Sequence, residues 1–446
     1  MQKHLLTILM GGLLAFTASA ASPSDLTLRV TPERDLLYSR GTREVVVQID
    51  LDGRRPDIDH DKSHRAPMNL ALVLDRSGSM QGAKIEKARQ AACVAVDQLA
   101  SDDIFSLVIF DNDTEVVIPP ERVGDERHRE AMKERIDHIR PRGSTAIYAG
   151  VKLGAAQLRK NFDNERVNRV ILLSDGIANV GPSRTTDLAT LGRDLRGDGI
   201  AVSTVGLGDD YNEDLMTALA EASNANYYYV RDAEKLPSIF AEELGATRSI
   251  VARGVIIRIT VPEGVRIREI MGRPEVDCSG RSVQIQLPEY FGGEKRRFLA
   301  RCVVDKATPE ALDVAAVDLK YESNGGAKEA LQPQNARISF TEEEQKSKES
   351  VRSDVAQGVA ILGNCLAKER AVKLADEGRA KDAADLLRGQ AAANNALPAS
   401  AALPGQAEEN RKLEAAASEV ESKGAFGKSS RKQIQYENWQ DKNQKR

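Results

Sequence analysis

Cysteine is scarce in this 446-residue chain, with four at positions 93, 278, 302 and 365. They form no Cys-x-x-Cys pair and no Cys/His cluster at zinc spacing, so a disulfide scaffold and a structural zinc module are both excluded. Cys278 and Cys302 share a strand-rich segment, and their pairing in an oxidising compartment is left open. Cys93 falls on a helical pattern and is expected in the core. No sign of charge dominates: Lys plus Arg number 63 and Asp plus Glu 67, a net of -4, which leaves no global field to recruit nucleic acid. Beyond the N-terminus no run of apolar residues is long enough to span a bilayer, so this chain alone makes no channel. Catalytic signatures are also missing. There is no His-Glu-x-x-His and no Gly-x-Ser-x-Gly, and only five histidines are present. Gly427-Lys428-Ser429 imitates the end of a phosphate loop, but Ser422 stands where that loop needs its first glycine. With no nucleophile and base at a recognisable spacing, the chain is not expected to be an enzyme.

The composition is that of an ordinary globular protein, 41% hydrophobic and 29% charged, with aromatics at only 4%. At roughly 100 to 200 residues per domain, two to four domains are expected. Lys3, the apolar run Leu5 to Phe16 and the small residues Ala18-Ser19-Ala20 read as a secretory signal peptide over residues 1–20. The run is too short for a helix crossing about 30 Å of hydrocarbon, so the mature chain is expected to begin at Ala21. It would be exported, to the periplasm or the extracellular space, with no transmembrane segment.

Hydrophobic patterning divides the rest. Residues 21–66 hold strands, as in Leu26 to Val30 and Glu44 to Ile49, and then a polar linker. Asp57, Asp59, His60, Asp61 and His64 in that linker suggest a metal site, but a solvated charged segment is the preferred reading. Over 67–248, short apolar strands alternate with helical stretches, which implies an α/β doubly wound, mostly parallel sheet with its ligand site beyond the carboxyl ends of the strands. Strands alone follow over 249–341, read as a small antiparallel β-sandwich. The N-terminal strands are too few to bury a face alone, so they are expected to join this sandwich, with the α/β unit inserted. Residues 342–422 read as a helical region with a stop at Gly378 and a loose connection over 389–408. Residues 423–446 read as a basic flexible tail.

The strongest chemical signal is Asp75-Arg76-Ser77-Gly78-Ser79, directly after the apolar strand Leu70 to Leu74. Asp75, Ser77 and Ser79 present a carboxylate and two hydroxyls at alternate positions, so a tight loop can turn three oxygens onto one hard cation. Oxygen ligands favour magnesium, calcium or manganese over zinc. Gly143-Ser144-Thr145 precedes a helix, and Ser174-Asp175-Gly176 ends the strand Val170 to Leu173. A lone Asp-x-Ser-x-Ser would equally suit a strand-end turn that caps a helix. The three pieces together argue for a metal site.

These residues resemble the metal-ion-dependent adhesion site of the von Willebrand factor type A domain, whose pattern is Asp-x-Ser-x-Ser, a separate Thr and a separate Asp. The resemblance covers roughly residues 67 to 248 and implies the metal ligands Asp75, Ser77, Ser79, Thr145 and Asp175. It is supported by Asp175-Gly176-Ile177-Ala178-Asn179-Val180-Gly181 and Val205-Gly206-Leu207-Gly208. The sandwich, the inserted domain and the stretch Arg431 to Trp439 look like secreted bacterial members related to the heavy chains of inter-alpha-trypsin inhibitor. The resemblance implies a protein partner whose Asp or Glu completes the coordination of Mg2+ (or Mn2+ or Ca2+). It also implies that the last domain helix, here Ala233 to Gly245, can move when the metal is engaged. Arg76 and Met80 are expected to flank the metal, although Arg76 fits a solvated loop charge equally well. The competing readings are an envelope scaffold in which the metal only stabilises the central domain, and a metal-dependent hydrolase.

Overall fold

The computed structural model describes residues 25–41, 43–54, 66–246, 250–308, 310–323, 326–397 and 399–444. The signal segment 1–20 and the linker residues Asp57, Asp59, His60, Asp61 and His64 lie outside them.

The central unit is a six-stranded sheet, and the chain order of its elements explains where a ligand would sit. Strand β4 (Met68–Asp75) and strand β7 (Val167–Ser174) are buried along their whole length, as expected of continuous apolar runs in a parallel sheet. Between and around them run β5 (Ile104–Phe110), β6 (Thr114–Arg122), β8 (Ala201–Leu207) and β9 (Tyr227–Val230), in the order β6-β5-β4-β7-β8-β9. All neighbours are parallel except β6, which is an antiparallel hairpin partner of β5 at the edge. Helices α1 (Ala83–Gln98), α2 (Glu126–Asp137) and α6 (Leu236–Ala246) cover one face, and α3 (Ile147–Arg159), α4 (Thr185–Gly197) and α5 (Glu213–Ala222) the other. The alternation of β4 decides which side chain goes where. Leu70, Leu72 and Leu74 join the core with Ile85 and Phe240, whereas Ala71 and Val73 join the core with Val151 and Leu215. Strand β4 pairs with β5 on one side and β7 on the other, so its carboxyl end is the point where the winding reverses. Asp75 is the last residue of that strand.

The strands β1 (Leu26–Pro32), β2 (Leu36–Tyr38) and β3 (Glu44–Gly53) precede the central unit. After it come β10 (Ile250–Thr260), β11 (Val265–Ile270), β12 (Ser282–Phe291), β13 (Lys295–Val304), β14 (Leu312–Ser323) and β15 (Lys328–Thr341). They form two sheets, β1-β3-β13-β11 and β12-β10-β14-β15-β2. The inner faces of the two sheets share one core, in which Val47 and Ile49 meet Ile257, Ile285, Phe298 and Leu319. Strand β3 pairs antiparallel with β13, as in Ile49 opposite Phe298, across the whole α/β unit in sequence. The α/β unit is therefore an insertion into the sandwich. Cys93, Cys278, Cys302 and Cys365 are all free thiols.

The remaining elements are helical: α7 (Glu344–Glu349), α8 (Ser353–Asp376), α9 (Ala380–Asn395), α10 (Gln406–Lys423) and α11 (Lys428–Lys442). Leu374, Leu387, Leu413 and Val420 make a small core among α8, α9 and α10. Two expectations need correction here. The loose connection over 389–408 is helical up to Asn395, and the basic flexible tail 423–446 instead contains α11, docked on the central unit. What orders α11 is charge pairing and one aromatic. Lys432 Nζ lies 2.8 Å from Glu213 Oε2, Arg431 Nε lies 2.6 Å from Glu213 Oε1, and Trp439 is buried among the residues that pack on α5. Among the described residues no helix is long and apolar enough to cross a membrane.

Candidate metal centre

Three loops meet at the carboxyl end of the parallel sheet. The first leaves β4 at Asp75 and makes a 3-10 turn over Gly78–Met80 before α1. The second precedes α3 and carries Thr145, and the third leaves β7 at Ser174 and carries Asp175. Backbone bonds knit them together: Gly78 N–H donates to Gly143 O at 3.0 Å, Arg142 N–H to Arg76 O at 2.6 Å, and Asn179 N–H to Thr145 O at 3.2 Å.

The five oxygen-bearing residues singled out in the sequence converge here. Asp75 and Asp175 are fully buried, Ser77 and Thr145 nearly so, and Ser79 is exposed at the rim. Ser77 Oγ and Ser79 Oγ are 3.0 Å apart, and Ser79 Oγ donates to Asp175 Oδ1 at 2.7 Å. Asp75 Oδ1 accepts from the Ser77 amide at 2.7 Å, and its Oδ2 accepts from Ser174 Oγ. Thr145 closes the set: a Cβ placed on Gly176 would lie 2.8 Å from Thr145 Oγ1 and 3.6 Å from Asp75 Oδ2, so both oxygens abut the same stretch of backbone.

Electrostatically the site is short of positive charge. Burial pushes the Asp75 carboxyl up to about 6, with the Asp175 charge adding to it, while hydrogen bonds from Ser174 and Ser77 pull the other way. The nearest cation is Lys84, whose ammonium sits on Asp175 Oδ2. The donor set suits a hard divalent ion. Ligands at right angles around magnesium, at about 2.0–2.1 Å, are about 2.9 Å from one another. The hydroxyl–hydroxyl and hydroxyl–carboxylate separations of 3.0 and 2.7 Å are of that size. Among the described residues no group of three or more His, Cys, Asp and Glu is placed to hold a metal ion, and this arrangement draws instead on two carboxylates and three hydroxyls.

The supporting residues were less visible in the sequence. Arg76 is buried rather than a solvated loop charge, with its Nε 2.7 Å from Asp111 Oδ2 and an Nη 3.1 Å from Glu115. Arg142 Nε reaches the same Asp111 oxygen at 2.8 Å. Burial would raise the Asp111 carboxyl, but the Asp113 amide and the two guanidiniums hold it below the ordinary value. Met80, next to Ser79, is fully buried in the core with Ile85 of α1. Asn112 and Asn179 brace the middle loop by accepting from the amides of Ser144 and Thr145, at 2.5 and 2.9 Å. Ser174 and Asn179 lie within the motif phrases, but their residue types alone do not mark these roles. Lys84, Asp111 and Asn112 carried no motif signal.

Residues 69–242 match the family model of the von Willebrand factor type A domain. This part of the chain is a von Willebrand factor type A domain. The whole architecture has counterparts. A von Willebrand factor type A protein from Catenulispora acidiphila superposes with a TM-score of 0.69 at 19% identity, over 91% of this chain and 98% of that one. The ArnB paralog VWA2 from Sulfolobus acidocaldarius gives 0.58 at 15% identity, over 94% and 99%. At these identities the likeness is one of fold, and it extends through the sandwich and the helices. Among curated relatives, an uncharacterized protein from Synechocystis sp. is 29% identical over 275 residues, 59% of this chain and 63% of that one. Human inter-alpha-trypsin inhibitor heavy chain H3 is 27% identical over 165 residues, 34% of this chain and 18% of that one. The E3 ubiquitin-protein ligase WAV3 of Arabidopsis thaliana is 26% identical over 278 residues, 58% of this chain and 34% of that one. The chain thus spans less than two thirds of the length of these relatives.

Proposed function

We propose that the protein is an exported, divalent-metal-dependent protein-binding module, in which Asp75, Ser77, Ser79, Thr145 and Asp175 hold Mg2+ (or Mn2+ or Ca2+). An Asp or Glu of the partner protein completes the coordination. The observation that carries this reading is the convergence of the five oxygens at the winding reversal of the sheet. When bound, the ion supplies a Lewis-acidic centre that takes an anionic oxygen. The chain's own part is to hold three neutral hydroxyls and two carboxylates in place. The neutral ligands leave the centre electrophilic, and the exposed rim at Ser79 leaves it open to a partner. Export rests on the leader-like residues Lys3 to Ala20.

No catalytic role is proposed. His128 on α2 faces Glu121, and His138 just past the end of α2 bonds the carbonyl of Glu134; among the described residues neither contacts a hydroxyl or thiol nucleophile. The match to the plant ligase covers only 34% of that protein.

The buried, raised Asp75 carboxyl also favours a second reading, in which the ion chiefly stabilises the domain within an envelope scaffold. Affinity capture from envelope extract separates the two, with wild type in MgCl2, wild type in EDTA and Asp75→Ala as baits. Partners recovered only by wild type in MgCl2 support metal-bridged binding. The same partners in all three arms, with a lowered melting temperature in the last two, support the scaffold.

A further inference from the structure

Ile177 stands out on the metal face. It is 59% exposed, and the only other exposed large hydrophobic among the described residues is Phe162 at 38%. Phe162 packs near Gly199, just before β8 begins, at the opposite end of the sheet from the oxygens. Ile177 is two residues past Asp175, and its exposure does not come from a loose loop. Asp175, Gly176 and Ala178 on either side of it are buried. Asn179 is tied to Thr145 in both directions, its side-chain oxygen accepting from the Thr145 amide and its own amide donating to the Thr145 carbonyl. The fold therefore holds an aliphatic side chain out into water on a pinned backbone, beside the place where a partner's carboxylate would arrive. Such a residue contributes nothing to the core and gains only when something apolar covers it.

The charges nearby say what the covering segment carries. Of the buried carboxylates of the face, Asp111 is matched by Arg76 and Arg142 and Asp175 by Lys84, which leaves Asp75 for the ion. Among the described residues Arg142, three residues before Thr145, is bound through Nε only. Its side chain is 65% exposed, and both terminal nitrogens are left for an incoming anion. A guanidinium fork of this kind suits a carboxylate.

We infer that Ile177 and Arg142 form a recognition surface for an acidic peptide segment in which an aliphatic residue neighbours the Asp or Glu that reaches the metal. The aliphatic side chain covers Ile177, and the carboxylate lies between the ion and the Arg142 fork. This rests on the metal-bridged reading above and adds to it which segment is chosen.

The test is an immobilised peptide array in which the residues beside a single Asp or Glu are varied among Leu, Ile, Val, Ser, Asn and Lys. It is probed with full-length wild type, Ile177→Ser, Arg142→Gln and Asp75→Ala, each in MgCl2 and in EDTA. Wild type in MgCl2 is expected to prefer aliphatic-flanked acids over Ser-flanked ones by about tenfold or more, the size expected for covering one aliphatic side chain. Ile177→Ser is expected to lose that preference while still binding acids in a magnesium-dependent way. Arg142→Gln is expected to weaken all acidic peptides alike. An aliphatic preference that persists in Ile177→Ser, or wild type with no preference or no binding, overturns the inference. A preference that survives EDTA and Asp75→Ala but falls with Ile177→Ser would keep the apolar anchor and remove the metal from recognition.

Discussion

Ser79 Oγ donates a 2.7 Å hydrogen bond to Asp175 Oδ1, although 96 residues separate the two in the chain. The bond joins the loop after β4 to the loop after β7, while the Lys84 ammonium holds the other Asp175 oxygen. The oxygen set is thus assembled by the protein's own contacts. A cation would need to displace an ammonium and redirect hydroxyl protons rather than gather distant loops, and preorganisation of this kind favours tight binding.

The Asp75 carboxyl gives the site a pH dependence. Its value in the folded chain, about 6, lies above the ordinary 3.8 expected when unfolded. Without metal, its contribution to stability is therefore full below about 3.8 and is lost as pH rises through about 6, a change of about 3 kcal/mol. A metal ligand must be deprotonated, so magnesium affinity is expected to fall about tenfold per pH unit below about 6. Melting curves with and without saturating MgCl2 check this. The rise in melting temperature should be several-fold larger at about pH 7.5 than at about pH 5. An equal rise at both would contradict it.

Gly143 turns the loop that delivers Thr145. Its φ of +73° belongs to the left-handed region, and a Cβ there would meet Asn112 Oδ1 at 2.8 Å. Gly143→Ala is expected to push Asn112 off the Ser144 amide and displace Thr145. Magnesium affinity should drop about tenfold, with at most about 1–2 kcal/mol lost in global stability. Titration calorimetry paired with urea unfolding checks the split, and a change in stability alone would show that the loop does not position the site.

Arg169 on β7 is almost fully buried. Its Nη1 is 2.5 Å from Glu243 on α6, its Nη2 is 3.8 Å from Glu289 on β12, and its guanidinium lies over the Phe291 ring. Glu243 also accepts from Tyr228 Oη and Asn226 Nδ2. Although burial opposes its charge, Arg169 and the hydrogen bonds from Asn226 and Ser203 hold its carboxyl below the ordinary value. One side chain therefore ties the sheet, the last domain helix and the sandwich together. Arg169→Ala is expected to cost about 3–5 kcal/mol, because it leaves a buried carboxylate unpaired. Arg169→Ala combined with Glu243→Gln should recover part of that loss in urea unfolding. No recovery would mean that packing rather than charge is responsible.

The one tryptophan of the chain, Trp439, reports on the docking of α11, since it is 4% exposed and its ring lies 6.4 Å from that of Tyr228. Glu213 receives both Arg431 and Lys432, and the Lys432 side chain is 3% exposed. Glu213→Ala leaves that ammonium with the Tyr211 ring as its main remaining contact. Undocking is then expected to become easier by about 3 kcal/mol. Trp439 emission should shift to longer wavelength at lower urea than in wild type, and an unchanged midpoint would contradict the charge-clamp account of α11.

The sequence carries the architecture where apolar periodicity is strong. Leu70 to Leu74 and Val170 to Leu173 are full-length buried runs, and four of the five oxygen residues lie at or just past the ends of these strands, while Thr145 precedes α3. Elements held by other means were invisible. Strand β15 buries only Ala336 and Ile338 along its length, so it shows little alternation. Helix α11 is mostly polar because its contacts are to Glu213, Asp214 and Asp376, and a charged stretch with distant partners reads the same as a solvated end. Lys84 and Asp111 belong to the site through tertiary approach alone. The burial of Arg76 likewise depends on Asp111, 35 residues away.

The most direct test of the central claim is calorimetric titration of MgCl2 into wild type and Asp75→Asn, with melting temperatures measured on both. Asp75→Asn keeps the shape and removes the buried charge. Wild type is expected to show one saturable site and the variant none, and the metal-free variant is expected to melt no lower than metal-free wild type. Equal magnesium binding by both proteins would contradict it.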